Sequence, residues 1–206
     1  MKKIYLLSLL ITTTIATAQQ LYLEAGKTSS RFSYKDSEGV KLNNLQPSNH
    51  TFMAIGYRDW LIEDSGLMGL IGVRYAGYGA IGSDQILGDF WEWDINCLEL
   101  DAGLDYQLFS IRDSSIYLKG GTSIGFLLQG TQTINNEVFN LKNVKDFDKP
   151  MIQVKLGAGF SHPISDNLSF YIEYAYAKSL IWVSKPQKFS IGSNNIAFGL
   201  LIDIER

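Results

Sequence analysis

From Cys97 to Phe109 apolar and polar residues alternate without a break. Leu98, Leu100, Ala102, Leu104, Tyr106 and Leu108 fall on one face, and Glu99, Asp101, Gly103, Asp105 and Gln107 on the other. Side chains alternate across a strand, so this period predicts a β-strand with one apolar and one charged face. The carboxylates restrict it further, because a face carrying three acids must meet water or cations. The alternation recurs in about eight segments: 20–34, 49–62, 67–78, 91–109, 115–131, 150–161, 168–180 and 191–205. Segments two and three, where Gly56, Gly69 and Gly72 interrupt the rhythm, are the least regular.

The connections give a second, independent line. Three are short and turn-like: Glu63-Asp64-Ser65-Gly66, Arg112-Asp113-Ser114 and Ser165-Asp166-Asn167. Four are longer, at 35–48, 79–90, 132–149 and 181–190. Short and long alternate strictly, as they do when turns lie on one side of a membrane and loops on the other. A tilted strand crosses the hydrocarbon in about 9–11 residues, which the segments supply. The expected fold is therefore all-β: an eight-stranded antiparallel up-and-down transmembrane β-barrel. Aromatic residues fall near both expected boundaries. Trp60, Tyr106, Phe109 and Tyr117 lie towards the turns, and Tyr75, Tyr78, Trp91, Trp93, Tyr176 and Trp182 towards the loops.

The N-terminus reads as an export leader over residues 1–18. Lys2 and Lys3 precede an apolar run from Ile4 to Ile15, and Ala16-Thr17-Ala18 offers small residues for cleavage. The barrel domain is then 19–206. The formal charge is −3, and −5 without the two leader lysines, which argues against nucleic acid as a partner. Cys97 is the only cysteine, so no internal disulfide and no paired-cysteine metal site can form. It is expected as a structural residue near a rim. No metal site and no cofactor are expected.

With these faces the interior carries Glu24, Arg58, Arg74, Glu99, Asp101, Asp105, Lys119, Lys155 and Glu173. Eight strands leave room for side chains and little else. Charges in so narrow a space must be paired, and four cations with five acids can form a linked network that seals the lumen. Tyr22, Tyr117, Gln129 and Gln153 can add hydrogen bonds. The same network, with exchangeable partners, is also the device a narrow gate for small ions would use.

No catalytic residues are assigned. His50 has Ser48 two positions before it, on the same side of an extended strand, but no acid follows in a motif and Gly-x-Ser-x-Gly is absent. The 132–149 loop is the longest and sets Phe139, Leu141, Val144 and Phe147 among asparagines. Outer loops on a rigid barrel are the usual place for contact with a surface ligand.

The leader ending Ala16-Thr17-Ala18, the eight alternating segments and the final strand from Asn195 to Arg206 together resemble the small OmpA/OmpX-type outer-membrane β-barrels. The likeness covers the whole mature chain and is architectural, without a unique motif. It implies a monomer in the outer membrane of a Gram-negative bacterium, with a structural, surface-interaction or adhesion role. Its partners would be outer-membrane lipid, lipopolysaccharide and the insertion machinery. The end Asp203-Ile204-Glu205-Arg206 departs from the terminal aromatic of many members, Phe198 being the nearest outward one. A soluble lipocalin-like ligand-binding barrel is the rival. It would have the same period and the opposite faces.

Overall fold

The computed structural model describes residues 20–35, 39, 41, 44–62, 65–84, 89–180 and 188–204. The leader, Glu63-Asp64, Trp182 and Glu205-Arg206 lie outside the described residues. The elements are β1 Gln20–Lys35, β2 Leu45–Ile62, β3 Leu67–Asp84, β4 Asp89–Ile111, β5 Ser114–Ile134, β6 Glu137–Asn140, β7 Met151–Ser165, β8 Leu168–Ser179 and β9 Lys188–Asp203. Two short 3-10 turns, Leu141–Asn143 and Lys145–Asp148, join β6 to β7. Each barrel strand pairs antiparallel with its sequence neighbour, β5 passing over β6 to β7, and β1 pairs with β9. Since β4 also pairs with β5, the ring closes on eight strands, with β6 an added arm on the upper half of β5.

Burial alternates along each wall in the expected sense. Leu98, Leu100, Leu104, Ile124, Ile152, Val154, Leu156, Ile172, Ile196 and Phe198 are exposed outside, while Glu24, Arg74, Glu99, Asp105 and Glu173 are buried inside. A lipocalin-like barrel would bury the first set and expose the second, so that rival is excluded. A continuous apolar outer wall of this extent suits hydrocarbon and not water.

Inside, aromatic side chains lie across glycines of the adjoining strand. Tyr22 pairs with Gly56, Phe52 with Gly26, Tyr117 with Gly159 and Tyr171 with Gly199. A Cβ built at Gly159 would stand 2.2 Å from the Tyr117 ring, and one at Gly199 equally close to Tyr171. The missing side chain is the space the ring occupies, which explains why glycine is tolerated in strands it would otherwise weaken.

Several positions depart from the sequence reading. The alternation of Tyr78, Ala80 and Gly82 with Ile81 and Ser83 carries β3 on to Asp84, so most of the expected 79–90 loop is strand. In the 132–149 loop, Asn135 and Asn136 have φ of 48° and 71°, the left-handed pair that a two-residue hairpin needs. They fold β6 back on β5, and the loop is largely structured. Cys97 packs in the interior, fully buried, rather than at a rim. A bulge opposite Asn96 and Cys97 adds Leu128 to β5, which turns the expected inward Gln129 out to solvent. The aromatic belts are thinner than expected. Tyr75, Tyr106, Phe109 and Tyr176 are exposed, but Tyr78, Trp93 and Tyr117 are buried inside, and Trp91 packs partly buried against the interior cluster.

The interior has two layers. Towards the turns lies the charged layer. Towards the loops, Phe32, Tyr78, Trp93, Ile95, Met151, Phe189 and Ile191 form an apolar cluster. Leu141 and Phe147 of the folded loop pack onto it from above, Phe147 meeting Phe189 edge-on at 5.8 Å.

Candidate functional site

All nine charged residues anticipated for the interior are brought together inside the ring, each in an ion pair. Arg58 meets Asp105 at 3.2 Å, Arg74 meets Glu24 at 3.8 Å and Lys119 meets Glu173 at 2.6 Å. Lys155 bridges two acids, Glu99 at 2.9 Å and Asp101 at 2.8 Å. Register sets the charges at one level of the ring: Arg74 lies opposite Glu99 across β3 and β4, and Asp105 opposite Lys119 across β4 and β5. Each of these four nevertheless takes its ion-pair partner from a strand that is not its neighbour: Arg74 reaches Glu24 on β1, Asp105 meets Arg58 on β2, Lys119 meets Glu173 on β8 and Glu99 meets Lys155 on β7, so the network spans the lumen rather than following the ladders.

Neutral groups complete the shell. Tyr171 donates to Glu24 at 2.9 Å, Tyr117 to Glu173 at 3.2 Å, and Tyr78 to Glu99. Arg74 also donates to Asn195 Oδ1 at 2.9 Å and lies over the Phe52 ring, 3.5 Å from its centroid. The Arg58–Asp105 contact is electrostatic rather than well aligned, since Arg58 Nε and Asp105 Oδ1 both lack a hydrogen-bond partner. Asn195, Tyr78 and Tyr171 were not singled out from sequence as partners of the charges, although inward parity on β9, β3 and β8 marks them. Among the described residues, two voids lined by these side chains are small, about 30 Å³ and about 10 Å³. Neither void has room for more than a water or two.

A second constellation sits on the outer wall near the loops. Ser48 Oγ lies 3.1 Å from His50 Nε2, and His50 Nδ1 faces Asp94 Oδ1 at 3.9 Å. Sequence reasoning found the serine and histidine but no acid. The acid comes from β4, across β3, and only the barrel register reveals it. An irregularity between Pro47 and Phe52 gives β2 one residue more than β3 and takes His50 out of the β2–β3 ladder, while it keeps Thr28 as its partner on β1. Its ring then lies over Gly77 and Gly79, where a Cβ on Gly79 would come within 2.3 Å of His50 Nε2. Asp94 is the register partner of Gly79, which places it beside the ring. The Gly79 backbone is held from the far side, where Ser30 Oγ donates to its carbonyl and accepts from its N–H, both at 2.7 Å. No group of metal-ligating side chains occurs among the described residues.

No protein-family model and no curated protein matches the sequence. Solved structures of outer-membrane β-barrels do resemble it. Neisserial surface protein A is 13% identical, with 89% of this chain and 97% of that one covered and a TM-score of 0.49. Ail of Yersinia pestis, solved with the heparin analogue sucrose octasulfate, is 12% identical, with 88% and 99% covered and a TM-score of 0.42. The outer membrane protease OmpT of Escherichia coli is 9% identical, with 91% and 97% covered and a TM-score of 0.48. At such identities the similarity is one of architecture and carries no activity across.

Proposed function

We propose that this chain is an integral outer-membrane β-barrel protein with a sealed interior, exported by a leader cleaved after Ala18, and that its role is structural and surface-facing. The observation that carries the reading is the stacking of two closed layers in one lumen. Below, every inward cation named above faces an acid at 3.8 Å or less. Above, the apolar cluster and Leu141 stop the loop end. The outer wall supports lipid and lipopolysaccharide as its surroundings. The β5–β6 arm, with Val138 and Phe139 exposed at its edge, is the part best placed to meet a surface ligand.

An ion gate would require both layers to open together, whereas a partner exchange among the charges leaves the apolar layer in place. Single-channel recording of the purified, refolded barrel in planar bilayers tests this. Silence is expected at protein loads where a known pore conducts. Discrete, reproducible conductance steps would replace the sealed interior with a gate.

A further inference from the structure

The outer-wall constellation has a use that a sealed barrel does not need. We propose that Ser48, His50 and Asp94 form an esterase site for the acyl ester of a phosphate-bearing membrane lipid. Three features of the wall converge there. The first is the order of the groups: a hydroxyl on one ring nitrogen of His50 and a carboxylate facing the other. That order lets an imidazole take a proton from an alcohol and be steadied as it becomes positive. The 3.9 Å approach of Asp94 is open, as such contacts often are without substrate, and Asp94 is exposed and has room to close.

The second feature is an apolar groove of about 520 Å³ lined by Leu23, Met53, Ile55, Val73, Tyr75 and Leu98. It runs from β9, at Phe198 and Leu200, across β1, β2 and β3 to β4, below the constellation. Gly77, under the His50 ring, is two residues beyond Tyr75 on the same outward row, about 7 Å along the strand. An acyl chain lying in the groove therefore presents its ester at the level of Ser48 and His50. The third is charge. A cavity of about 380 Å³ on the neighbouring wall is lined by Arg31, Lys41 and Lys178, with Ser29 and Asn194. It suits a lipid phosphate, the headgroup chemistry shared by phospholipid and the lipid anchor of lipopolysaccharide.

The reaction balances with water as the only co-reactant. Ser48 Oγ adds to the ester carbonyl carbon while His50 Nε2 takes its proton. The carbon–oxygen bond to the lipid alcohol breaks, and that oxygen leaves with the proton from Nε2. A water then adds to the acyl-serine, losing a proton to the same nitrogen, and Ser48 Oγ departs with it. One ester and one water give a fatty acid and a deacylated lipid. Ser48 and His50 are catalytic residues, and Asp94 is a positioning residue.

The inference rests on the membrane placement proposed above, so folding and chemistry must be read separately. The full chain is refolded into phosphatidylethanolamine vesicles in one arm and mixed with purified lipopolysaccharide in detergent in the other. Insertion is scored by heat-modifiable gel migration, and chemistry by released fatty acid and by covalent labelling with a long-chain alkyl fluorophosphonate. Fatty acid should appear in at least one arm, and which arm identifies the lipid. Ser48→Ala and His50→Ala should fold normally and lose at least about 1,000-fold in rate, with labelling abolished in Ser48→Ala. Asp94→Asn should lose about 10-fold or more in rate while folding and inserting as the parent does, with Asp94→Glu restoring part of the loss. A folded, inserted barrel that releases no fatty acid and takes no label overturns the esterase and leaves the barrel standing. A chain recovered soluble overturns both.

Discussion

At the scale of single residues the interior acids are not equivalent. Glu99 is fully buried, binds Lys155, accepts from Tyr78 and lies in register with Arg74. Asp101 has 14% of its side chain exposed, and among the described residues its one ion-pair partner is Lys155. Breaking a buried pair from one side leaves an uncompensated charge, at a cost of about 3–5 kcal/mol. Glu99→Gln should therefore lower the urea midpoint of the detergent-folded barrel well below that of Asp101→Asn, where Glu99 still neutralises Lys155. Equal midpoints would mean that the network is not organised around Glu99. These nine charges were readable beforehand because period 2 assigns their face and because burial cost demands partners. Their pairing was not, since it depends on which non-adjacent strands meet across the lumen and at what stagger. Asp94 shows the limit from the other side. It lies on the outward row, where a lone acid reads as solvated, and only the bulge that lifts His50 gives it a neighbour.

At the scale of elements, the glycines divide into those a ring covers and those left open. Gly159→Ala would drive a methyl group into Tyr117, whereas Gly120→Ala meets only Leu156 at 3.7 Å. Overpacking costs typically about 1–3 kcal/mol, so the first should lower the unfolding midpoint and the second should leave it within error. The folded loop can be tested in the same way. Leu141 is 2% exposed against the upper cluster, and Leu141→Ala should cost about 2–4 kcal/mol if the loop is part of the packed interior. A midpoint within about 0.5 kcal/mol of the parent would mark it as a surface segment. The eight barrel strands were legible from alternation alone. The arm is not legible in the same way: Ile134-Asn135-Asn136-Glu137 carries a two-residue hairpin signal, but asparagines in a long polar stretch also read as loop. The bulges at Leu108 and Leu128 were invisible, since one extra residue interrupts the alternation no more than a glycine does. The one at Leu128 is what turns Gln129 outward against its parity.

At the scale of the whole molecule, two layers of opposite character fill one tube. Tyr78 joins them, its ring in the apolar cluster and its hydroxyl on Glu99. The apolar layer is not legible from composition, because Trp93 and Tyr78 suit a headgroup belt equally well; only their parity points inward, where both pack in the cluster. One consequence concerns time rather than shape. β1 pairs with β9 along its full length, from Gln20 against Asp203 to Lys35 against Lys188, and Gln20 donates to Asp203 across 183 residues of chain. The first strand made is thus the last to acquire its second neighbour. Until then both of these strands present unpaired backbone, which invites pairing with another chain. Contacts between such distant parts of a sequence form slowly. An unassisted refolding reaction should therefore be limited by this one closure, and pairing across the β1–β9 seam should emerge only with the final, fully protected species.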